Sequence, residues 1–265
     1  MAKKTYSMRY VAGEPVQRIQ PMSEHMLDES LPVGLPLFSG GEYLNVLIWN
    51  IYKQQRPNWQ KVLHELVAEK KLILLQEAQM SPELISFTAR AQLIADQVPA
   101  LPFSPHPAGV MTLATAHPIY CCPLREKEPL LRLAKSALIT VYPLPNGQHL
   151  MVVNVHAVNF SFGVDVYTRQ LNKLGIHIKK HRGPVILGGD FNAWSRQRIN
   201  ALKRFIRSVG LKEVTYLDDL RTLAFGRPLD YVFYRGLQIE KSNIIKTNAS
   251  DHNPIEIKFR LPKMN

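Results

Sequence analysis

Residues 184–194 read PVILGGDFNAW, and this stretch decides much of the expected fold. Residues 184–188 form a short apolar run of the kind that makes a buried strand. Gly188 and Gly189 permit a tight bend, and they also let the backbone approach a ligand closely. Asp190 and Asn192 follow directly. They either form an Asx turn that caps the bend, or they present a carboxylate and an amide at the rim of a sheet.

The chain on both sides of this stretch alternates between strand and helix patterns. Short apolar or alternating runs predict strands, namely at residues 44–50, 71–76, 110–113, 136–142, 149–156, 184–188, 230–234, 237–244 and 254–259. Helical spacing predicts helices at residues 59–70, from 82 onward, at 165–180 and at 195–209. Two sheets with helices outside them, in one α/β domain, satisfy this order.

The first forty residues differ from the rest of the chain. They contain four prolines and show little periodicity, so we expect residues 1–40 to be an irregular basic N-terminal arm. Residues 41–265 are then the folded domain. The arm is expected to be ordered only where it packs on that domain.

Composition excludes several classes of protein. Of the 265 residues, 46% are apolar and 20% are charged, which is typical of a folded globular protein and excludes disorder of the whole chain. Two cysteines are too few for a disulfide framework and form no zinc motif. No apolar run approaches the length of a membrane-spanning helix, and the N-terminus lacks the apolar core of a signal peptide. We therefore expect a cytoplasmic protein without a transmembrane segment.

Positive charge is concentrated in one part of the chain. The net charge is +12, and residues 169–212 hold eleven Lys or Arg but a single acid, Asp190. One interpretation is a set of solvated helix faces. The other is that the field attracts a polyanion to a site around Asp190.

Polar residues recur where the predicted strands end or begin. This set consists of Asn50, Glu77, His156, Asn159, Asp190, Asn192, Asp230, Asp251 and His252. Taken alone, each has an ordinary explanation as a turn, a cap or a solvated carboxylate. Together they are hard to explain by turn chemistry, since a strand holds its terminal side chain rigidly at one rim of a sheet.

These residue types can perform a narrow range of chemistry together. Carboxylates and amides without cysteine favour Mg²⁺ or Mn²⁺ as the cofactor. A carboxylate that activates water, beside amide and imidazolium donors, suits hydrolysis of a phosphate ester. Asp230 interrupts an apolar run and needs a partner, for which His252 is the natural candidate. No nucleophile elbow, P-loop or dinucleotide motif indicates another reaction.

The ordered set of motifs resembles the endonuclease/exonuclease/phosphatase superfamily, with its deoxyribonuclease-I-like fold. The motifs are WNIYK at 49–53, LLQEAQ at 74–79, VNVHAVN at 153–159, GGDFNAW at 188–194, LDYVFY at 229–234 and SDHNPI at 250–255. The resemblance implies a four-layer α/β sandwich of two mixed sheets flanked by helices. It also implies a divalent-metal phosphodiesterase or phosphomonoesterase.

The resemblance assigns the acids and amides as follows. It implies that Glu77 is the principal metal ligand, that Asn50 lies near the metal, and that Asp251 binds a metal or tunes the neighbouring His252. Asp190 resembles the residue that positions and activates water. Asn192 resembles the residue that binds the scissile phosphate.

The same resemblance assigns the remaining residues. His252 matches the catalytic imidazole, and Asp230 matches the acid that orients it. His156 matches a position beside the phosphate that is filled by His or Tyr, and Asn159 is expected to contact a phosphoryl oxygen.

The substrate is not fixed by this set of residues, because members of the superfamily cut different phosphate esters with nearly the same groups. The net charge of +12 favours nucleic acid as the substrate partner. An inositol phosphate or a phospholipid headgroup is an alternative substrate that a basic face would also attract. A catalytically silent nucleic-acid-binding protein is the alternative from another class, and the complete set of matched acids and imidazoles argues against it.

Overall fold

The structure of the chain is a computed structural model that describes residues 5–27, 31–38, 43–100, 106–127, 134–159 and 163–261. Within these residues the strands are β1 (Ser7–Tyr10), β2 (Gln17–Ile19), β3 (Tyr43–Asn50), β4 (Leu72–Gln79), β5 (Ile94–Pro99), β6 (Ala108–Ala114), β7 (Tyr120–Lys127), β8 (Ala134–Pro143), β9 (His149–His156), β10 (Val185–Asp190), β11 (Lys212–Glu213), β12 (Leu223–Ala224), β13 (Arg227–Pro228), β14 (Asp230–Arg235), β15 (Gln238–Ile244) and β16 (Ile255–Arg260). The α-helices of the same residues are α1 (Trp59–Val67), α2 (Pro82–Arg90), α3 (Asp165–Lys180) and α4 (Arg196–Ser208).

The strands form two large mixed sheets and one small hairpin. The first sheet has the order β15-β16-β3-β4-β6-β5-β1-β2, and the second has the order β11-β14-β10-β9-β8-β7. Each sheet has one parallel pair, β3 with β4 and β9 with β10, while the other pairs are antiparallel. The hairpin of β12 and β13 stands apart from both sheets.

The two sheets pack face to face with the helices outside. Val46 and Ile48 of β3 point into the core between the sheets, where they meet Val152 and Ile186 of the second sheet. Leu47 and Trp49 of the same strand point the other way, into the core beneath α1 and α2. The helices α3 and α4 cover the outer face of the second sheet. Both faces of each sheet are therefore apolar, and each face must be covered. The inner faces cover each other and the helices cover the outer faces, which gives four layers. The expected four-layer sandwich is confirmed.

The N-terminal segment differs from the sequence expectation. Residues 7–10 and 17–19 form β1 and β2, which extend the first sheet beyond β5. The expectation of an irregular arm was therefore wrong for these two segments. Residues 39–42 lie outside the described residues, so the domain boundary at residue 40 stays a prediction.

A helix cap and a tight turn shape the ends of two of these elements. Ser81 caps α2, where its hydroxyl oxygen accepts a hydrogen bond from the backbone amide of Leu84 at 3.3 Å. The turn at Gly147, with φ of 77°, joins β8 to β9 in an antiparallel pair. Among the described residues, no helix is both long and apolar enough to cross a membrane.

Candidate active site

The predicted site residues come together because of the strand directions. Parallel strands β3 and β4 end at the same rim of the first sheet, and β9 and β10 end at the corresponding rim of the second. The antiparallel neighbours of these pairs begin where they end: β14 begins at Asp230, which pairs with Asp190. The other register partner of Asp190 is His156. Strand ends therefore deliver acids, amides and imidazoles to one cleft.

His252 and Asp230 form a short hydrogen bond in the cleft. Nδ1 of His252 lies 2.7 Å from Oδ2 of Asp230, and both side chains are buried. Burial opposes a charged imidazole, but Asp230, followed by Asp190 and Asp251, outweighs it and raises the pKa of His252 to about 10. His252 is therefore a cation at neutral pH, as the sequence pairing with Asp230 implied.

Asp190 lies at the centre of the cleft and is only 2% exposed. Its Oδ2 accepts a hydrogen bond from Nδ2 of Asn50 at 3.1 Å, and it lies 3.4 Å from Nε2 of His156 and 4.0 Å from Nε2 of His252. Burial, opposed by the His252 cation, raises the pKa of Asp190 to about 6. Oδ1 accepts a hydrogen bond from the amide of Asn192 at 3.0 Å. Asp190 therefore forms the Asx turn through Oδ1 and also presents Oδ2 of the same carboxylate to the cleft.

The cluster of Asp190, Asp230 and His252 is close enough to hold an ion, since one ligand atom of each lies within 4.8 Å of the others. Its chemistry argues against this, because metals bind the neutral imidazole. Nδ1–H of His252 donates a hydrogen bond to Asp230, and the raised pKa of His252 keeps the ring protonated. We therefore interpret the cluster as a hydrogen-bonded acid–imidazolium–acid arrangement.

Glu77 offers a better position for a cation. It occupies a β-bulge in β4 and has a φ of 52°, which turns its side chain away from the regular ladder. Oε1 lies 3.7 Å from Nε2 of His156 and 3.9 Å from Nζ of Lys135, and no side chain or amide of the described residues donates a hydrogen bond to this carboxylate. Asn50 lies close by, and its Oδ1 accepts only the amide of Tyr52 at 3.1 Å among the described residues, which leaves one lone pair. This oxygen donor set fits a hard divalent ion.

Lys135 is a residue of the cleft that sequence reasoning did not identify as part of the site. Its Nζ lies 2.7 Å from Nε2 of His156. An ammonium only donates, so Nε2 accepts, and burial followed by the charge of Lys135 lowers the pKa of His156 well below its usual value. The direction of β8 could have indicated this residue. β8 runs antiparallel to β9, so β8 begins at the rim where β9 ends with His156.

Asn192 and Asn159 lie on adjacent loops that are tied together. Nδ2 of Asn192 donates to the carbonyl of Ala157 at 3.0 Å, and Oδ1 of Asn159 accepts from Nε1 of Trp194 at 2.9 Å. Arg198, only 1% exposed, donates to the carbonyls of Asn192 and Asn159. Asn192 and Asn159, the two residues predicted to bind phosphate, are therefore held together by hydrogen bonds in one unit. Within it, Nδ2 of Asn192 and Oδ1 of Asn159 each already make a hydrogen bond.

Asp251 is placed less deeply than the other predicted residues. Its side chain is exposed, and Oδ1 lies 3.3 Å from Oγ of Ser250. Asp251 contributes to the raised pKa of His252. Of its two predicted roles, tuning of His252 has this electrostatic support, and metal binding stays a prediction.

The basic segment of residues 169–212 is less exposed than its composition indicated. Arg198 is buried against backbone carbonyls. Arg169 and Lys173 both bind Glu126, at 2.9 Å and 2.6 Å. The positive field around the cleft is therefore weaker than the count of eleven cations implied.

Comparisons with known proteins agree with this architecture. The sequence profile of the Endonuclease/Exonuclease/phosphatase family matches residues 47–252. The UPF0294 protein plu0699 of Photorhabdus laumondii is 64% identical over 259 residues, which cover 98% of this chain and 100% of that protein. The chain is therefore closely similar to this relative over its whole length.

Solved structures show the same fold at low sequence identity. The human nocturnin catalytic domain with bound sulfate superposes with a TM-score of 0.65 at 19% identity, covering 87% of this chain and 97% of that domain. The Danio rerio TDP2 structure with a single-strand DNA product has a TM-score of 0.58 at 15% identity, covering 83% of this chain and 100% of that one. At these identities the likeness concerns the fold.

Proposed function

The chain belongs to the Endonuclease/Exonuclease/phosphatase family of metal-dependent phosphoesterases, and from this we propose that it hydrolyses phosphodiesters of nucleic acid with Asp190 as the water-activating group. The observation that carries the proposal is the position of Asp190 Oδ2 between Asn50, His156 and His252. A buried carboxylate with a raised pKa, beside a cationic imidazole, is suited to proton transfer.

Asp190 accepts a proton from the attacking water. Its hydrogen bonds from Asn50 and from the amide of Asn192 fix the carboxylate, so that the water meets a defined oxygen. Burial makes this carboxylate a stronger base than a solvated one, because the raised pKa brings it closer to neutral pH.

His252 contributes positive charge to the phosphoryl oxygens. Asp230 holds Nδ1, so Nε2 is the nitrogen that faces the cleft on the side of Asp190. A fixed imidazolium stabilises the negative charge that builds up on the phosphoryl group, without having to reorient during the reaction. Asp230 is a positioning residue in this scheme, since it acts through the imidazole.

Glu77 and Asn50, with Asp251 at the cleft edge, are the residues that would hold the divalent ion. We propose Mg²⁺ or Mn²⁺ because the donors are carboxylate and amide oxygens. When bound, such an ion polarises a phosphoryl oxygen and stabilises charge on the leaving oxygen. Asn192, Asn159 and Lys135 are proposed to bind the remaining phosphoryl oxygens, with His156 as a neutral partner of Lys135.

Nucleic acid is the substrate that the charges favour. The net charge of +12 attracts a polyanion, even after the pairing of Arg169 and Lys173 with Glu126. The TDP2 structure with the same fold contains a single-strand DNA product, which supports nucleic acid over other phosphate esters.

The test is a substrate panel with Mg²⁺ or Mn²⁺ that contains DNA, RNA, bis(p-nitrophenyl) phosphate, inositol phosphates and sphingomyelin. We expect cleavage of a nucleic acid and its loss in the Asp190→Asn and His252→Ala variants. Activity that survives in both variants would come from a contaminant and would overturn the mechanism.

The same panel decides between the remaining alternatives. Cleavage of inositol phosphates or sphingomyelin alone would replace the nucleic-acid substrate by the lipid-type alternative. Binding of nucleic acid without cleavage of any substrate would identify a silent binding protein. Nucleic-acid binding should also weaken steeply with added salt, because phosphate contacts release counterions.

A further inference from the structure

An exposed aromatic side chain lies beside the cleft and takes no part in the mechanism above. Phe225 is 82% exposed at the tip of the hairpin formed by β12 and β13. Phe225 and Gly226 both have positive φ values, 51° and 72°. Such two-residue turns favour Asn, Asp or Gly at the first position, so the local conformation gives no reason for a phenylalanine there.

The hairpin is anchored to the loops that carry the proposed catalytic residues. The hydroxyl of Thr222 donates to the carbonyl of Asp251 at 3.3 Å and accepts from the amide of Asn253 at 3.2 Å. On the other side, the carbonyl of Leu229 accepts from the amide of Phe191 at 2.8 Å. The base of the hairpin is therefore tied to the loops that carry Asp190 and His252.

Phe225 also pairs with an aromatic residue of the phosphate-binding unit. Its ring centroid lies 6.0 Å from that of Trp194, with the planes at 60°. Arg227 fastens the pair, because its Nη1 donates to the carbonyls of Phe225 and Trp194 at 3.0 Å and 3.4 Å. Trp194 in turn donates to Asn159. The aromatic surface is thus continuous with the residues proposed to bind phosphate.

We propose that Trp194 and Phe225 form a platform on which an unpaired nucleobase of the substrate stacks, a proposal that rests on the function proposed above. Aromatic side chains beside a phosphate-binding groove are the means by which proteins hold single strands, since every base has a π face. In a duplex that face is covered by the neighbouring base pairs. The enzyme therefore selects single-stranded nucleic acid.

The surroundings favour a base over a lipid surface. Leu217, Leu220 and Leu223 are exposed on the same loop, and such a patch could also enter a membrane. However, Asp218 and Asp219 lie between them, and an ionised carboxylate is costly to bring into the hydrocarbon of a membrane. Phe225 lies against the ring of Trp194, and a pair of aromatic rings suits the flat face of a base.

The test measures binding in the catalytically silent Asp190→Asn chain, so that it does not depend on turnover. The probes are a single-stranded oligothymidylate of about eight nucleotides and a strand of equal length with tetrahydrofuran in place of every nucleoside. Both carry the same phosphates, but only the first carries bases. Trp49 and Trp59 are buried and Trp194 is the third of three tryptophans, so quenching of tryptophan fluorescence reports on the platform.

We expect oligothymidylate to quench the fluorescence and to bind more tightly than the base-free strand. Phe225→Ala should weaken oligothymidylate binding by roughly 5- to 100-fold and leave the base-free strand unaffected, as expected for one stacked base. Phe225→Tyr should restore binding, and Trp194→Phe should abolish the quenching. Leu217→Ala is the matched control on the same loop and should bind like its parent.

Equal affinity for the two strands, or an unchanged affinity in Phe225→Ala, would overturn the platform even if the parent enzyme hydrolyses DNA. Binding to phosphatidylglycerol vesicles that requires Phe225, without selective binding of oligothymidylate, would overturn it in favour of a lipid. Selective binding in a chain that cleaves no substrate would leave the platform in place and reject the hydrolytic function instead.

Discussion

Nδ1 of His252 lies 2.7 Å from Oδ2 of Asp230, although the two residues are separated by 22 positions in the chain. β14 begins at Asp230, and His252 lies in the loop that leads into β16. The pairing therefore depends on two strands of different sheets that begin at the same rim. It fixes both the orientation of the imidazole and its charge.

Replacing Asp230 by Asn should remove the charge that keeps His252 protonated. The pKa of His252 should fall from about 10, because the largest of the charges that oppose the effect of burial is removed, while those of Asp190 and Asp251 remain. We expect kcat to drop by about 100-fold and the alkaline limb of the pH profile to move to lower pH. Asp218→Asn, on an exposed loop, is the control. A pH profile identical to that of the parent would show that Asp230 does not set the charge of His252.

Lys135→Met should weaken substrate binding. Its ammonium faces His156 at 2.7 Å and is proposed to contact a phosphoryl oxygen. Loss of one charge-assisted hydrogen bond, about 1.5–3 kcal/mol, corresponds to a rise in KM of at least about tenfold. Steady-state kinetics with bis(p-nitrophenyl) phosphate measure this, and Lys135→Arg should retain most of the binding. An unaltered KM in Lys135→Met would exclude the contact.

Gly188 and Gly189 should respond differently to substitution by alanine. Gly189 has a φ of 141°, and a Cβ there would lie 2.0 Å from the carbonyl oxygen of Val155 in β9. A Cβ at Gly188 would meet only side-chain atoms, of Ile48 at 3.3 Å, Leu74 at 3.5 Å and Val232 at 3.7 Å. Gly189→Ala should cost about 3 kcal/mol or more of unfolding free energy, and Gly188→Ala about 1 kcal/mol or less. Urea denaturation of both variants checks this, and equal losses would contradict it.

Stability should fall between neutral and acid pH because of His181. Its Nε2 lies 3.0 Å and 3.2 Å from the carbonyls of His149 and Pro184, and burial, aided by the charge of Arg235, lowers its pKa to about 4. The unfolded chain, with a His pKa near 6.5, then binds more protons than the folded one below that pH. Unfolding free energy should therefore decrease as pH falls from about 6.5 to about 4, by about 3 kcal/mol.

Urea midpoints at several pH values measure this dependence. His181→Gln keeps an amide donor for the two carbonyls but cannot be protonated, so its dependence on pH should be shallower. His156 and His177 also have lowered pKa values and should leave a residual slope. A slope equal to that of the parent would show that His181 does not contribute.

Strong periodicity predicted the central elements well. The strand expected at residues 149–156 and the helix expected at 165–180 have the same bounds in the structure. Both lie in the middle of a layer, where burial on one or both faces imposes a regular pattern on the sequence. The convergence of Asp190, His252 and Asp230 was predictable for the related reason that strand direction fixes which ends share a rim.

Elements with distant partners were not predictable in this way. Strand β5 contains Asp96, which is only 1% exposed and reads as a strand breaker in the sequence. It is tolerated because Arg9 of β1 binds its carboxylate at 2.8 Å, and no local pattern shows a partner 87 positions away. Lys135 was missed for a similar reason, because its role depends on the register of β8 against β9.

The pairing of β1 with β5 bears on how this enzyme can be shortened. Removing the first forty residues would strip a neighbour from β5 and leave its backbone groups as an open template for other chains. It would also leave the Asp96 carboxylate inside the protein without its guanidinium. A fragment cut to the limits of the sequence motifs would therefore be prone to aggregate, although every residue proposed to be catalytic would still be present.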